Sequence, residues 1–332
     1  MNKIASTIIL IASLLLASCG TGDIKQGEVL YLRNKGADMP AYVYGNTGSK
    51  VFVILLHGGP GGNGLEYRSG NYVEQLEKEV AMVYWDQRGQ GNSRGNNHKE
   101  ELTMDLLLDD LDQLVRVVKE RYGNDISLFL LGHSWGGTYG TKYMMSQKRQ
   151  DQFKGWIEAD GAHDIPRLNV EAIKMFIAIG EDQVAKGNKV SEWNEILDFA
   201  RGVDTLNITE EQGGQINSHG HSAEGLLDEI KQGEADGIQM PFRNPTDGIT
   251  GSLAGSFTAN RLLTSGIEDI ALTDSLYKIT LPSLFLWGKY DFVVPPQLGI
   301  DAADLVSSTD KQLIIYDASG HSPMNGEGPA FA

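Results

Sequence analysis

The chain has 332 residues, with 28 Lys and Arg against 44 Asp and Glu (formal net charge −16), 41% hydrophobic residues and 22% charged residues. That length suits one large domain or a domain with a substantial insertion, and the composition is that of a globular rather than a disordered protein. The acidity, with no Lys/Arg-rich stretch, argues against a nucleic-acid partner, because a phosphate backbone would be repelled rather than neutralised.

Residues 1–18 read as a signal peptide: Lys3 supplies a positive charge, Ile4 to Leu16 is almost unbroken apolar sequence, and small residues follow. The run is too short to span a bilayer, which takes about 20 apolar residues. Leu16-Ala17-Ser18-Cys19 resembles a bacterial lipoprotein lipobox. The resemblance implies cleavage before Cys19, lipid on its thiol and new amino group, and a place on the periplasmic or extracellular side of the bacterial envelope. The alternative is a plain secretory peptide with an incidental cysteine. Cys19 is the only cysteine, which excludes an internal disulfide, a Cys-based zinc site and a cysteine nucleophile in the mature domain. Residues 19–28 form a short polar tether.

From residue 29 to 163 apolar strands alternate with helices. Val29 to Leu32 and Ala41 to Tyr44 are expected to pair as a hairpin across Asn34 to Asp38. Val51 to Leu56 is a branched apolar strand that runs into His57-Gly58-Gly59-Pro60-Gly61-Gly62. Tyr72 to Glu79 reads as a helix, Val80 to Trp85 as a strand, and Leu102 to Tyr122 as a long helix with Leu107, Leu111, Leu114, Val118 and Tyr122 on one stripe. Ile126 to Leu131 and Gly155 to Glu158 are further strands, with a helical stretch from Thr138 to Gln147 between them. Such alternation predicts an α/β fold, a mostly parallel, doubly wound sheet. The pattern breaks over residues 164–274, where the helix candidates are Val170 to Ala185 and Glu192 to Ala200, followed by a Gly-rich polar stretch from Glu211 to Gly251 with no assigned conformation. This region is expected to be a helical cap inserted between strands 6 and 7. Residues 275–332 resume the core with strands at Ser283 to Trp287 and Gln312 to Tyr316. The chain stops soon after His321, so a closing helix is expected to be missing.

Gly132-His133-Ser134-Trp135-Gly136 lies between a strand and a helix, the context of a nucleophile elbow. Among 40 glycines the pentapeptide alone is weak, and its bland reading is an ordinary Gly-Ser turn. A serine needs a base, and the base needs an acid, each past the end of a later strand. Asp291 follows the strand ending at Trp287, and His321 follows the strand ending at Tyr316. Asp160 and Asp317 are rival carboxylates in similar loops. In this reading His321 takes the Ser134 proton and Asp291 holds the imidazole tautomer. The backbone N–H groups of Trp135 and Gly59 form the oxyanion hole. The loop from His57 to Gly62 matches neither a P-loop nor a dinucleotide fingerprint, so no nucleotide is expected there.

The order Ser, Asp, His is that of the α/β-hydrolases. The segments His57 to Gly62, Asp86-Gln87-Arg88-Gly89-Gln90-Gly91-Asn92-Ser93 and Gly132 to Gly137 together resemble the proline iminopeptidase family of serine peptidases. The resemblance covers roughly residues 29–164 and 273–323. It implies an α/β-hydrolase core, no cofactor, and release of an N-terminal residue from small peptides. Asp86 and Arg88 are read as a structural charged pair. The family's cap carries a Trp-x-x-Trp-Glu motif that holds the substrate amine, and Trp193-Asn194-Glu195-Ile196-Leu197 departs from it; Glu195 is either its substitute in substrate binding or a solvated residue. The expected partner is a small molecule or short peptide. An enzyme cleaving esters or small peptide amides is one reading, a binding lipoprotein on the same scaffold is another, and a haloperoxidase- or lyase-like activity a third.

Overall fold

The structure is a computed structural model that describes residues 27–95, 102–227, 266 and 269–332. The signal peptide, Cys19 and most of the tether lie outside the described residues, as does the Gly-rich stretch beyond Leu227. Among the described residues no helix is long and apolar enough to cross a membrane.

Eight principal strands form one sheet: β1 (Glu28–Asn34), β2 (Ala37–Gly45), β3 (Val51–Leu56), β4 (Ala81–Trp85), β5 (Ser127–His133), β6 (Gly155–Ala159), β7 (Ser283–Gly288) and β8 (Lys311–Tyr316). A two-residue strand at Arg94–Gly95 pairs with β2. The sheet order is β1-β2-β4-β3-β5-β6-β7-β8. β2 is antiparallel to both β1 and β4, and the other neighbours are parallel. The expected hairpin is longer than its apolar residues suggested, and its turn shrinks to Lys35 and Gly36, both at positive φ.

Strands β3 and β4 are apolar at every position because both faces are covered. In β3, Phe52, Ile54 and Leu56 join one cluster with Leu107, Leu111, Tyr139 and Leu298, while Val53 and Leu55 join another on the opposite face. The first face is covered by α2 (Met104–Tyr122), α3 (Trp135–Met144) and α7 (Gln297–Leu305), and the second is bordered by α1 (Tyr72–Glu79). Trp85, Trp156 and Trp287 are fully buried, and truncating such a residue to alanine typically costs about 3–5 kcal/mol. Helix α2 starts at Met104 because the Thr103 side chain accepts the Leu106 N–H (3.2 Å) as its cap. After His321 the chain makes two four-residue helical turns, Pro323–Gly326 and Gly328–Phe331, and Phe331 packs edge-on to Tyr72 and against Tyr316.

The insertion between β6 and β7 contains α4 (Ile165–Ala185), α5 (Val190–Gly202) and α6 (Glu210–Leu226). These helices pack around Ile173, Phe176, Trp193, Ile196, Ile216 and Ala223. The Gly-rich stretch is therefore helical over its first part. A capping box explains the start of α6: the Thr209 side chain accepts the Gln212 N–H (3.2 Å), and the Gln212 side chain accepts the Thr209 N–H (3.0 Å).

Register places the carboxyl ends of β3, β5, β6, β7 and β8 along one edge, with Leu56 beside Gly132, His133 beside Ala159 and Gly288 beside Tyr316. The loops leaving that edge can therefore meet, which is where open α/β sheets bind ligands.

Candidate active site

Ser134 occupies the turn between β5 and α3 with φ 55° and ψ −120°. This backbone conformation is unfavourable for a residue with a Cβ, costing about 1–3 kcal/mol, and it persists only because the surroundings enforce it. A Cβ at Gly132 would strike the Gly136 carbonyl oxygen, and one at Gly136 would strike the Leu56 carbonyl oxygen. Both glycines are thus required by close approach of the turn to itself and to β3. Helix α3 begins at Trp135, directly after the serine, rather than at the expected Thr138.

The loops after β7 and β8 bring Asp291 and His321 to this serine. His321 Nε2 lies 3.0 Å from Ser134 Oγ, and His321 Nδ1 lies 2.8 Å from Asp291 Oδ2. The other carboxylate oxygen of Asp291 accepts the N–H groups of Val293 (2.9 Å) and Val294 (2.6 Å). Asp291 is fully buried, so its Nδ1–H contact fixes which imidazole nitrogen faces the serine. Burial holds the His321 imidazole below the usual histidine range, opposed by the negative charges of Asp160 and Glu224. Such a chain can move a proton from the hydroxyl to the imidazole while the buried carboxylate faces the imidazolium.

The rival carboxylates separate cleanly. Asp317 is exposed and pairs with Lys289 (2.9 Å). Asp160 is buried at the end of β6, where its Oδ1 accepts the Gly288 N–H (2.9 Å). Burial and the adjacent Asp291 charge push the Asp160 carboxyl well above the usual range. It underlies the Asp291 loop, with its Oδ2 3.9 Å from His133 Nε2, while the hydrogen bonds of the His321 ring go to Asp291 and Ser134.

Gly59, Pro60, Ser134 and Trp135 line one end of a cavity of about 280 Å³. Ile165, Leu168, Val293 and Val294 form its apolar wall, and Asn169 and Asn217 add amides. Glu195 is not part of this lining: it is exposed on α5, two residues from the buried Trp193, and its charge acts on His219.

Several residues that pattern reading passed over brace the site. Tyr67 Oη accepts the Gly58 N–H (2.8 Å) and lies 2.6 Å from His133 Nδ1. His133 Nε2 lies 2.9 Å from the His321 carbonyl oxygen, so that nitrogen carries the proton and Nδ1 accepts from Tyr67. Burial first, and His321 second, push His133 down to about 3, which keeps it neutral. The Asp86 to Ser93 segment supports the same loops. Gln87 Oε1 accepts the Trp135 indole N–H (3.0 Å), Gln87 donates to the His57 carbonyl (3.0 Å), and Gln90 accepts the Gly61 N–H (2.5 Å). Asp86 accepts from the Gly64 and Asn92 backbones. The buried guanidinium of Arg88 makes a bidentate pair with Asp110 of α2 (both contacts 2.6 Å).

His133, Asp160 and His321 form a cluster with the composition of a metal site. Both nitrogens of His133 and both of His321 are already engaged by the bonds above, so the cluster offers no free imidazole lone pair to an ion.

A family model described as Serine aminopeptidase, S33 matches residues 49–212. A proline iminopeptidase from Saccharolobus solfataricus is 27% identical over 303 residues, covering 89% of this chain and 86% of its own length. One from Thermoplasma volcanium is 25% identical over 320 residues, covering 93% and 92%. The crystal structure of a proline iminopeptidase-related protein from Thermus thermophilus superposes with a TM-score of 0.60 at 20% identity, covering 92% of this chain and 94% of that one. The structure of a serine hydrolase involved in carbazole degradation gives 0.59 at 17% identity, covering 92% and 95%. The last two likenesses concern the fold alone. With the sheet order, the inserted helices and the sequence relatives in agreement, the chain has the α/β-hydrolase fold and is similar to the proline iminopeptidases.

Proposed function

We propose that the protein cleaves a carboxylic ester or a small peptide amide through an acyl-enzyme on Ser134. The observation that supports this most directly is His321, whose two nitrogens meet Ser134 Oγ and Asp291 Oδ2 at 3.0 and 2.8 Å. Ser134 Oγ attacks the substrate carbonyl as its proton passes to His321 Nε2. The backbone N–H groups of Gly59 and Trp135 receive the oxyanion. Collapse of the tetrahedral species expels the alkoxide or amine, which takes the proton back from His321. Water activated by the same imidazole then releases the acid and restores Ser134. A depressed His321 stays neutral at pH 7, as a base must.

The names of the relatives favour an aminopeptidase. The cavity favours an acyl group without a charged amine, since its lining is mostly apolar with the Thr138 hydroxyl and two amides and holds no carboxylate among the described residues. A parallel screen of proline-p-nitroanilide and short p-nitrophenyl esters separates the two. Ser134→Ala is expected to abolish both ester turnover and labelling by a fluorophosphonate. Undiminished labelling of that variant would refute the assignment of the nucleophile, and an unlabelled, inactive wild type would favour a binding protein.

We further propose that lipid on Cys19 holds the domain at the bacterial envelope. The support is the apolar run from Ile4 to Leu16 and the Leu16-Ala17-Ser18-Cys19 sequence, with each buried methylene of an acyl chain contributing about 0.8 kcal/mol.

A further inference from the structure

We propose that Glu224, on cap helix α6, is a positioning residue that ties the cap to the two loops carrying Asp291 and His321. This rests on the hydrolytic reading above. One carboxylate gathers backbone donors from both loops: Glu224 Oε1 accepts the N–H of Phe292 (3.2 Å) and of His321 (3.2 Å), and Oε2 lies 3.3 Å from the same His321 nitrogen. Phe292 and His321 are 29 residues apart in sequence, and each adjoins or is a member of the proton chain.

Packing brings the helix to this place independently of the carboxylate. Phe292, next to Asp291, inserts its ring into the cap core, stacked on Phe176 (centroids 5.9 Å, planes 11° apart) and tilted against Trp193 (6.0 Å). Gly220 lies one helical turn before Glu224, and a Cβ there would press on the Phe292 carbonyl oxygen at 2.7 Å. The helix therefore lies directly on the acid loop, and the side chain one turn on reaches the histidine loop. The carboxylate is already occupied by backbone donors and does not line the cavity beside Ser134, which separates this role from capture of a substrate amine.

The groups facing His321 are Asp291, Asp160 and Glu224 as carboxyls, with His133 and His221 as imidazoles. Burial lowers both imidazoles, so they are neutral at pH 7; burial also pushes the Glu224 carboxyl up, opposed by His321 and the backbone donors, and its charged form raises His321. Removing that charge therefore moves His321 to lower pH. Loss of the tether frees the two loops, and displacement of a catalytic group by about 1 Å costs on the order of 100-fold in rate.

The experiment compares wild type, Ser134→Ala, Glu224→Ala and Glu224→Gln on neutral p-nitrophenyl acetate across pH 5–9, with circular dichroism on each. For Glu224→Ala the expected result is a kcat on the order of 100-fold lower, with KM within about twofold. Glu224→Gln keeps an oxygen for the backbone donors, so it recovers most of kcat while the acid limb of kcat/KM still moves to lower pH. If Glu224→Ala fails to fold, the pH shift of Glu224→Gln decides alone. Wild-type kcat and pH profile in either folded variant would overturn the proposal while leaving the hydrolytic reading intact. With proline-p-nitroanilide run in parallel, a defect confined to KM for that amine-bearing substrate would overturn it in favour of a substrate anchor. No Ser134-dependent turnover in the wild type would overturn both.

Discussion

Tyr67→Phe removes a single oxygen from the middle of a relay that joins three elements of the site. The hydroxyl accepts from Gly58 at 2.8 Å and donates to His133 at 2.6 Å, and His133 in turn holds the His321 carbonyl at 2.9 Å. Phenylalanine fills the same ring position, so the change in packing is small. It leaves the Gly58 N–H and the His133 Nδ1 lone pair without partners, at residues that are both buried. An orphaned buried polar group costs about 1–3 kcal/mol, and with some relief by water the pair is expected to cost about 2–4 kcal/mol. At about 2.1 cal/mol/K of unfolding entropy per residue, a domain of roughly 300 residues loses about 1.5 °C of Tm per kcal/mol, so calorimetry should show a fall of about 3–6 °C. Gly58 precedes the proposed oxyanion donor, and a loosened loop misplaces that donor in the transition state more than it weakens substrate binding. Ester kinetics at pH 7 should then show kcat lower by up to about 100-fold with KM nearly unchanged. A variant with wild-type Tm and wild-type kcat would refute the relay. A wild-type kcat with lowered Tm would confine the hydroxyl to stability and detach it from the oxyanion loop.

His57 is buried, with Nδ1 on the Gly58 carbonyl (2.8 Å) and Nε2 near the Gln87 N–H (3.4 Å), and burial pushes it down to about 4. Its unfolded form protonates near pH 6.5, so stability is lost as pH falls from there towards 4, by about 3 kcal/mol in total. His133 has the same sign and Asp160 the opposite one, so the readout is a difference. The stability gap between wild type and His57→Gln in urea titrations should narrow by about 3 kcal/mol between pH 7 and pH 4, and a constant gap would refute the assignment. Cys19→Ser, expressed in a bacterial host fed labelled palmitate, should lose both the label and its membrane fraction; equal labelling of the two proteins would remove the lipid-anchor proposal.

The sheet and the Ser134, Asp291 and His321 positions were legible because each is marked locally. An apolar run reports a strand covered on both faces, and a glycine pair around a serine reports a turn that cannot carry side chains. What was not legible depends on partners brought together only by folding. Arg88 could not be assigned to Asp110 from sequence, because α2 carries several carboxylates and only its rotation decides which one meets the guanidinium. Tyr67 sits in a short 3-10 turn, Gly64–Arg68, with no periodic signal to single it out. Glu195 drew notice through its closeness to Trp193, yet a residue two positions along a helix lies about 200° around it, so the burial of one places the other outside. Helix α6 was obscured by its own glycines, which lower helix propensity by about 1 kcal/mol each. Its signal was the Thr209-x-x-Gln212 capping box, together with Ile216, Gly220 and Ala223 at four- and three-residue spacing. Those three are the buried residues of α6, and Gly220 is small because the Phe292 carbonyl lies against it. The residue that made the segment look structureless is therefore the one that lets the helix reach the acid loop, and that approach places Glu224 on the backbone of His321.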